Sequence, residues 1–310
     1  MIKDFFKQGI ILLLMINFIF LPAVKVKGEQ RASSEPAKEV KSEYTGPKRK
    51  VAVIDFENKT KYGERRLGNA ASDILITELG KTGKFILIER EKLNKVLEEQ
   101  KLGMTGIIDP NTIATVGKIL GLDAIITGSI SQFGTKTVGT DFLITQSKSQ
   151  IAEATVDIRV VDIETARIIY TDSGKGVSSE KHSSFLGMGT RGGYAETIEG
   201  NALRAAITKF SENVATQISK RPWSCRVADV SEGEIYLDAG QESGLKLETV
   251  LVVYELGKEI ISPDTGIVIG RRQTKAGMIK VLEYFGENGS IAMLVEGNLP
   301  KPGSLCKMCP

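Results

Sequence analysis

"FLGMGTRGGYAET", Phe185–Thr197, carries Gly187, Gly189 and Gly192 at the G-x-G-x-x-G spacing that cradles a pyrophosphate. Its reading decides the fold. A dinucleotide loop needs a buried strand directly before it and a second parallel strand after the helix it opens. The preceding run, "SSEKHSSFL", is polar, which argues against a core strand. The amphipathic stretch Ala195–Lys220 that follows leads into a proline and then into alternating β-type sequence. With both flanks missing, the stretch reads as a loop whose glycines let the backbone bend.

Upstream, the pattern is that of an α/β layer. "KVAVIDFEN", Lys50–Asn58, is a continuous β-branched run and reads as a buried strand. Leu67, Ala70, Ala71, Ile74, Leu75 and Leu79 share one helical face, closed by Gly80 and Gly83. "KFILIE" reads as a second strand, and Arg90–Lys101 as a second helix. Asp109 and Pro110 supply an N-cap and a first helical position for a third helix. "DAIITGSISQF", Asp123–Phe133, reads as the next strand. Gly134–Gln150 is rich in Thr, Ser and Gly, after which Ile151–Gly176 alternates as two strands joined at "DIETAR". The last helix of this part carries Leu203, Ala206, Ile207, Phe210, Val214 and Ile218 on one stripe.

From Trp223 the pattern is all-β. "CRVADV", "EIYLDA", "TVLVVYEL", "AGMIKVLEYF" and "SIAMLVEG" are short strands separated by turn sequences, as in a small barrel or sandwich. The organisation is therefore residues 1–28 as a signal peptide, 29–49 as a polar linker, 50–220 as the α/β domain and 223–310 as the β domain.

The leader assignment rests on Lys3 and Lys7, the apolar run Gly9–Ala23, and Val26 and Gly28 as small residues before a cleavage point. A retained anchor is the alternative, although the apolar run falls short of the roughly 20 residues that span a bilayer. No cysteine stands at the end of the apolar run, where lipid would be attached, so the expected product is exported and not lipidated. Export bears on Cys225, Cys306 and Cys309, because disulfides persist in oxidising compartments. "GSLC" closes the last strand of the β domain and Cys225 opens the first. A bridge from Cys225 to Cys306 or Cys309 is expected, with Cys306–Cys309 as the competing pair.

Other chemistry is sparse. The 310 residues carry a net charge of +3, too balanced for a nucleic-acid binder that works by neutralising phosphates. The sequence holds no phosphate-binding G-x-x-x-x-G-K-[ST], no H-E-x-x-H and no G-x-S-x-G. Its single histidine, His182, reads as an exposed loop residue. No catalytic, cofactor-binding or metal-ligating set is expected, and an enzyme stays the outside alternative.

"VAVIDFENKT", "FILIEREKLNKVLEEQKL", "LGLDAIITGSISQF", "VDIRVVDIETARIIY" and "GNALRAAITKF" together resemble the CsgG family of curli-type assembly and transport components. "LDAGQESGLKLETVLVVYELG" and "SPDTGIVIG" resemble the C-terminal domain of the flagellar assembly protein FlgT. The CsgG resemblance implies a ring of α/β domains at the outer membrane, each subunit giving two hairpins to one transmembrane β-barrel. Those hairpins would fall near Phe133–Val156 and Ile169–Tyr194. It also implies an aromatic constriction, for which Tyr62 is the one candidate in "NKTKYGERRLGN". The partners implied are further copies of the chain, an exported protein, and envelope or flagellar machinery. A soluble periplasmic scaffold with no pore is the alternative.

The residues themselves sit uneasily with a membrane wall. A membrane strand needs about 9–11 residues with an apolar side. In the first hairpin, Val138, Phe142, Ile144, Ala152, Ala154 and Val156 offer a marginal one. In the second, Ile169, Thr171, Ser173, Lys175, Val177 and Ser179 lie on one side and Tyr170, Asp172, Gly174, Gly176, Ser178 and Glu180 on the other, with Phe185, Leu186, Met188 and Tyr194 apolar only on the return. Oligomerisation through the α/β domain, with insertion shallow or dependent on a partner, is the expectation.

Overall fold

A computed structural model describes residues 46–99, 110–141, 145–185, 195–264 and 268–309. The chain opens with β1 (Arg49–Val53), β2 (Glu57–Asn58), α1 (Glu64–Lys81), β3 (Phe85–Ile88), α2 (Arg90–Glu99) and α3 (Pro110–Ile119). Three strands of 18 residues follow: β4 (Ala124–Asp141), β5 (Thr145–Asp162) and β6 (Ile168–Phe185). Helix α4 (Ala195–Ser219) ends this part. The sheet runs β3-β1-β4-β5-β6, with β2 also on β4. Strands β3, β1 and β4 are parallel, and β4, β5 and β6 are antiparallel.

Periodicity explains which faces are covered. Helix α1 buries Leu67, Ala71, Ile74, Leu75 and Leu79 as one stripe, and starts on an acidic and ends on a basic residue as the helix dipole favours. It packs beside α4 on one face of the sheet, where Val156, Ile158, Leu203, Ile207 and Phe210 are core residues. The opposite face holds a smaller core, in which Leu93 of α2 and Ile113 and Val116 of α3 meet Ala52, Ile54 and Ile125.

Several expectations need correction here. Lys50–Asn58 is not one strand: the ladder breaks after Val53 and resumes at Glu57 on β4, while Ile54 N–H donates to Ile126 O at 2.9 Å. The strand expected to stop at Phe133 continues to Asp141, because backbone pairing needs no apolar side chains and Thr, Ser and Gly carry the ladder onward. His182 lies in β6, not in a loop. The polar run before Gly187 is therefore a strand, and the dinucleotide fold is excluded instead by topology: β6 is an antiparallel edge strand, and α4 leads to no parallel neighbour. Gly187, Gly189 and Gly192 lie outside the described residues.

The second hairpin also changes. Strand β6 pairs with β5 from Ile168 to Phe185, so β4, β5 and β6 form a three-stranded meander. Among the described residues no strand returns along β6.

The remainder is a closed barrel of six strands in the order β10-β11-β8-β7-β12-β9. Its members are β7 (Ser224–Ser231), β8 (Glu234–Leu237), β9 (Val250–Ile261), β10 (Val268–Phe285), β11 (Gly289–Gly297) and β12 (Leu305–Met308). Each strand pairs on both sides within the barrel, Val227, Leu237, Leu251, Val253, Ile279 and Val281 fill it, and the outer parts of β9 and β10, Glu255–Ile261 and Val268–Thr274, pair with each other as a projecting arm. The barrel and the α/β part belong to one unit, Lys41–Pro310. The barrel docks at the start of β1 and β4: Lys48 N–H donates to Ser243 O at 2.6 Å, Lys50 Nζ to Asp238 O at 2.6 Å, and Trp223 Nε1 to Lys48 O at 3.3 Å. Lys48 and Arg49, counted with the linker in the sequence reading, are thus held structure.

Candidate functional site

The three long strands are the feature on which a membrane or scaffold role turns, and their two faces differ. On one face Ala152, Ala154, Val156, Ile158 and Val160 of β5 are buried beneath α4. Beside them on β6, Gly174 and Gly176 bring the strand against the helix. A Cβ at Gly174 would collide with the carbonyl oxygen of Ala206, and one at Gly176 with that of Ala202. Glycine is needed here for close approach, not for a phosphate.

The other face carries Glu153, Thr155, Asp157 and Arg159 of β5 opposite Val177, Lys175, Ser173 and Thr171 of β6. Lys175 Nζ lies 3.1 Å from Glu153 Oε2, and the Ser173 hydroxyl donates to Asp157 at 2.6 Å. The hydrogen bond and charge of Lys175 hold the Glu153 carboxyl below the usual carboxylate range. Val138, Ile169 and Val177 are exposed on this side and Ile151 is half-buried on it, apolar residues scattered among charges.

Of the membrane-hairpin candidates, Val156 is a core residue under α4 and presents nothing to lipid, a correction to its sequence reading. Phe185 is the last residue of β6. Phe142, Ile144, Leu186, Met188 and Tyr194 lie outside the described residues.

Tyr62 is held from within the chain. Asn58 fixes the loop by donating to the carbonyls of Tyr62 at 2.5 Å and Glu64 at 2.7 Å. The Tyr62 hydroxyl donates to Glu199 Oε1 at 2.5 Å, and its ring lies 4.8 Å from that of Phe133. Arg66 donates to the second Glu199 oxygen at 2.7 Å, so this carboxylate, 3% exposed, is satisfied at both atoms. The bond to Glu199, followed by burial, pushes the Tyr62 hydroxyl above its ordinary pKa. The Tyr62 ring is packed against the core that α1 and α4 share. Sequence reasoning missed Glu199, because a glutamate near the start of a helix ordinarily reads as a solvated charge.

Asp172, on the covered face, accepts from the Tyr170 hydroxyl at 2.6 Å and from Ser173 N–H at 2.8 Å. Burial pushes its carboxyl up, but bonds from Tyr170, Ser173 and Asn213 together bring it below the usual range. Burial and that same carboxylate push Tyr170 up to about 12.

Cys225 on β7 and Cys306 on β12 are cross-strand partners, both buried in the barrel core, while Cys309 is exposed. Antiparallel partners place their Cα atoms about 4.5–5.5 Å apart, inside the range a disulfide requires. The hydrogen bond to Cys306 and burial push the Cys225 thiol well up. No group of three or more His, Cys, Asp or Glu side chains among the described residues is arranged to hold a metal ion. No helix among them is long and apolar enough to cross a membrane.

The model of the family described as "Curli production assembly/transport component CsgG" matches residues 34–248. A Neisseria meningitidis serogroup B protein named as a lipoprotein is 28% identical over 192 residues, which are 59% of this chain and 82% of that one. Among solved structures, lipoprotein GNA1162 of Neisseria meningitidis shares 15% identity over 56% of this chain and 99% of its own, with a TM-score of 0.32. The PelC dodecamer of Paraburkholderia phytofirmans shares 13% over 57% and 91%, with a TM-score of 0.31. Both superpositions are loose.

Proposed function

Given that the chain belongs to the CsgG family, we propose that it is a non-enzymatic envelope protein that helps export or assemble an extracellular or envelope structure. It acts as a ring of copies joined through the α/β domain at the periplasmic side of the outer membrane. The observation that carries this reading is the state of the long sheet. One face is filled by α4 over Ala152–Val160 and the other carries Glu153, Thr155, Asp157 and Arg159 with the Lys175–Glu153 ion pair, so among the described side chains neither presents a continuous apolar band to lipid. A lysine such as Lys175 near a bilayer midplane would cost roughly 2–4 kcal/mol per subunit. The family membership supports assembly work, and among the described residues β6 pairs on one side only, along β5. Sedimentation velocity and electron microscopy of the chain from Glu29 onward test this. Ring particles of one size are the expected result, and a monomer at tens of micromolar would overturn the ring.

The scaffold reading differs in having no ring, and the same sheet faces favour it if the chain stays monomeric. In either case the barrel is the part offered to a partner machine, in keeping with its resemblance to the flagellar FlgT domain. The export reading also assigns a disulfide to Cys225 and Cys306. Two thiols would pass two electrons and two protons to a dithiol–disulfide oxidant and close the β7–β12 seam. The bridge spans about 80 residues and would stabilise the barrel by roughly 4 kcal/mol. Non-reducing peptide mapping of exported protein decides, and three free thiols would remove the assignment.

A further inference from the structure

Between the barrel and the α/β layer lies a cavity of about 470 Å³, within the size range of small-molecule sites, which favour domain interfaces. Eight lysine or arginine side chains line it, against four carboxylates. Three of the four carboxylates are committed to cations of the lining, and Glu164 is the fourth. Asp123 faces Arg49 at 3.7 Å, Asp238 meets Lys50 at 3.3 Å, and Asp162 is tightly paired with Arg221. Two more cations, Lys118 and Arg271, share Glu259 at 3.2 and 2.7 Å, which ties α3 to the β9–β10 arm.

Three cations remain without a carboxylate in ion-pair range among the described residues: Lys48, Arg226 and Lys307. The Arg226 guanidinium donates to Gly303 O at 3.2 Å, and Lys307 Nζ to Gln273 Oε1 at 2.7 Å. These acceptors are neutral, and the other partner of the Lys307 ammonium is the Tyr254 ring, 5.3 Å from Nζ, so no carboxylate in ion-pair range offsets either charge. Lys48 comes from the α/β side, Arg226 from β7 and Lys307 from β12, three different segments converging on one opening. Arg49, 3% exposed, adds a buried guanidinium in the wall. A concave site with surplus fixed charge concentrates ions of the opposite sign, and guanidinium groups match phosphate oxygens in geometry as well as charge.

We infer that the junction cavity binds a compact phosphate-bearing anion, held by Lys48, Arg226 and Lys307 and gripped between the barrel and the α/β layer. The anion would fasten the two parts together, since its contacts come from both. A phosphate of this kind comes either from a soluble molecule or from a lipid headgroup, and the test separates them.

Inorganic pyrophosphate is titrated into the chain from Glu29 onward by calorimetry, with sodium chloride holding ionic strength constant. Three proteins are compared: the unmodified chain, Lys48→Gln with Arg226→Gln, and a control of equal charge change, Lys95→Gln with Lys246→Gln, on exposed side chains elsewhere. Saturable binding in the first and third, weakened tenfold or more in the second, is expected. Lys307→Gln, separately placed, should weaken it as well and serves if the double variant misfolds. Vesicles containing phosphatidylglycerol form the second arm: capture that pyrophosphate competes away assigns the headgroup, and pyrophosphate binding with no vesicle capture assigns a soluble ligand. Absence of saturable binding, equal binding by all variants, or vesicle capture that neither pyrophosphate nor the variants alter would overturn the inference.

Discussion

The two faces of the β4–β6 sheet are built from the same three strands and the same ladder of hydrogen bonds, yet their chemistry is opposite. The covered face alternates small and branched residues, Ala152, Ala154, Val156 and Ile158, under α4. The open face alternates Glu153, Thr155, Asp157 and Arg159. The difference teaches that an 18-residue strand is evidence neither for a membrane wall nor against one. The face a strand leaves free decides, and here the free face is charged.

If the comparison is right, disturbing the covered face is costly. Gly176→Leu would drive a side chain into the Ala202 carbonyl, and loss of about 3 kcal/mol or more, or failure to fold, is expected in urea denaturation. Phe210→Ala, which empties a fully buried site, should cost about 3–5 kcal/mol.

At the edge of that core, Tyr62→Phe removes the hydroxyl bond to buried Glu199. It should cost about 1–2 kcal/mol, read as a drop in urea midpoint with an unchanged slope.

Asp172 gives a smaller and pH-dependent effect. Its carboxyl is held below its unfolded value, so its stabilisation is present above the ordinary aspartate pKa of about 3.9 and is lost as pH falls through the lower folded value. Asp172→Asn should therefore lower the melting temperature at pH 7, and the difference between the two proteins should shrink as the pH is taken below about 3.9.

The open face should barely respond. Glu153→Gln or Lys175→Gln removes an ion pair whose members are 42% and 59% exposed, and a change within about 0.5 kcal/mol is expected from thermal melts. A large loss would show that something packs on this face.

Much of this was legible in the sequence where burial leaves a period. The α1 stripe, the β5 alternation and the α4 stripe are each set by one buried face, and the sequence shows them directly. The outer parts of β4 and β6 were not legible, because their ladder is carried by Thr, Ser, Lys and Gly, which read as loop. Gly174 and Gly176 looked merely unsuited to lipid, since their use appears only when α4 lies across them. Cys225 was legible as one end of a closing barrel, but which of Cys306 and Cys309 faces it was not, since that depends on the β7–β12 register. The junction pairs Arg49–Asp123, Lys50–Asp238 and Arg221–Asp162 join residues scattered along the chain, and no local pattern announces them.

The measurement that bears most directly on the sheet is membrane insertion. The chain from Glu29 onward, assembled and free of detergent, is added to liposomes loaded with a fluorophore, and dye release and carbonate-resistant association are followed. The account predicts no release and full extraction by carbonate, because a sheet with one face under α4 and the other charged has no side to offer lipid. Dye release with ring particles that resist extraction would contradict it and make the three long strands the wall of a secretion channel.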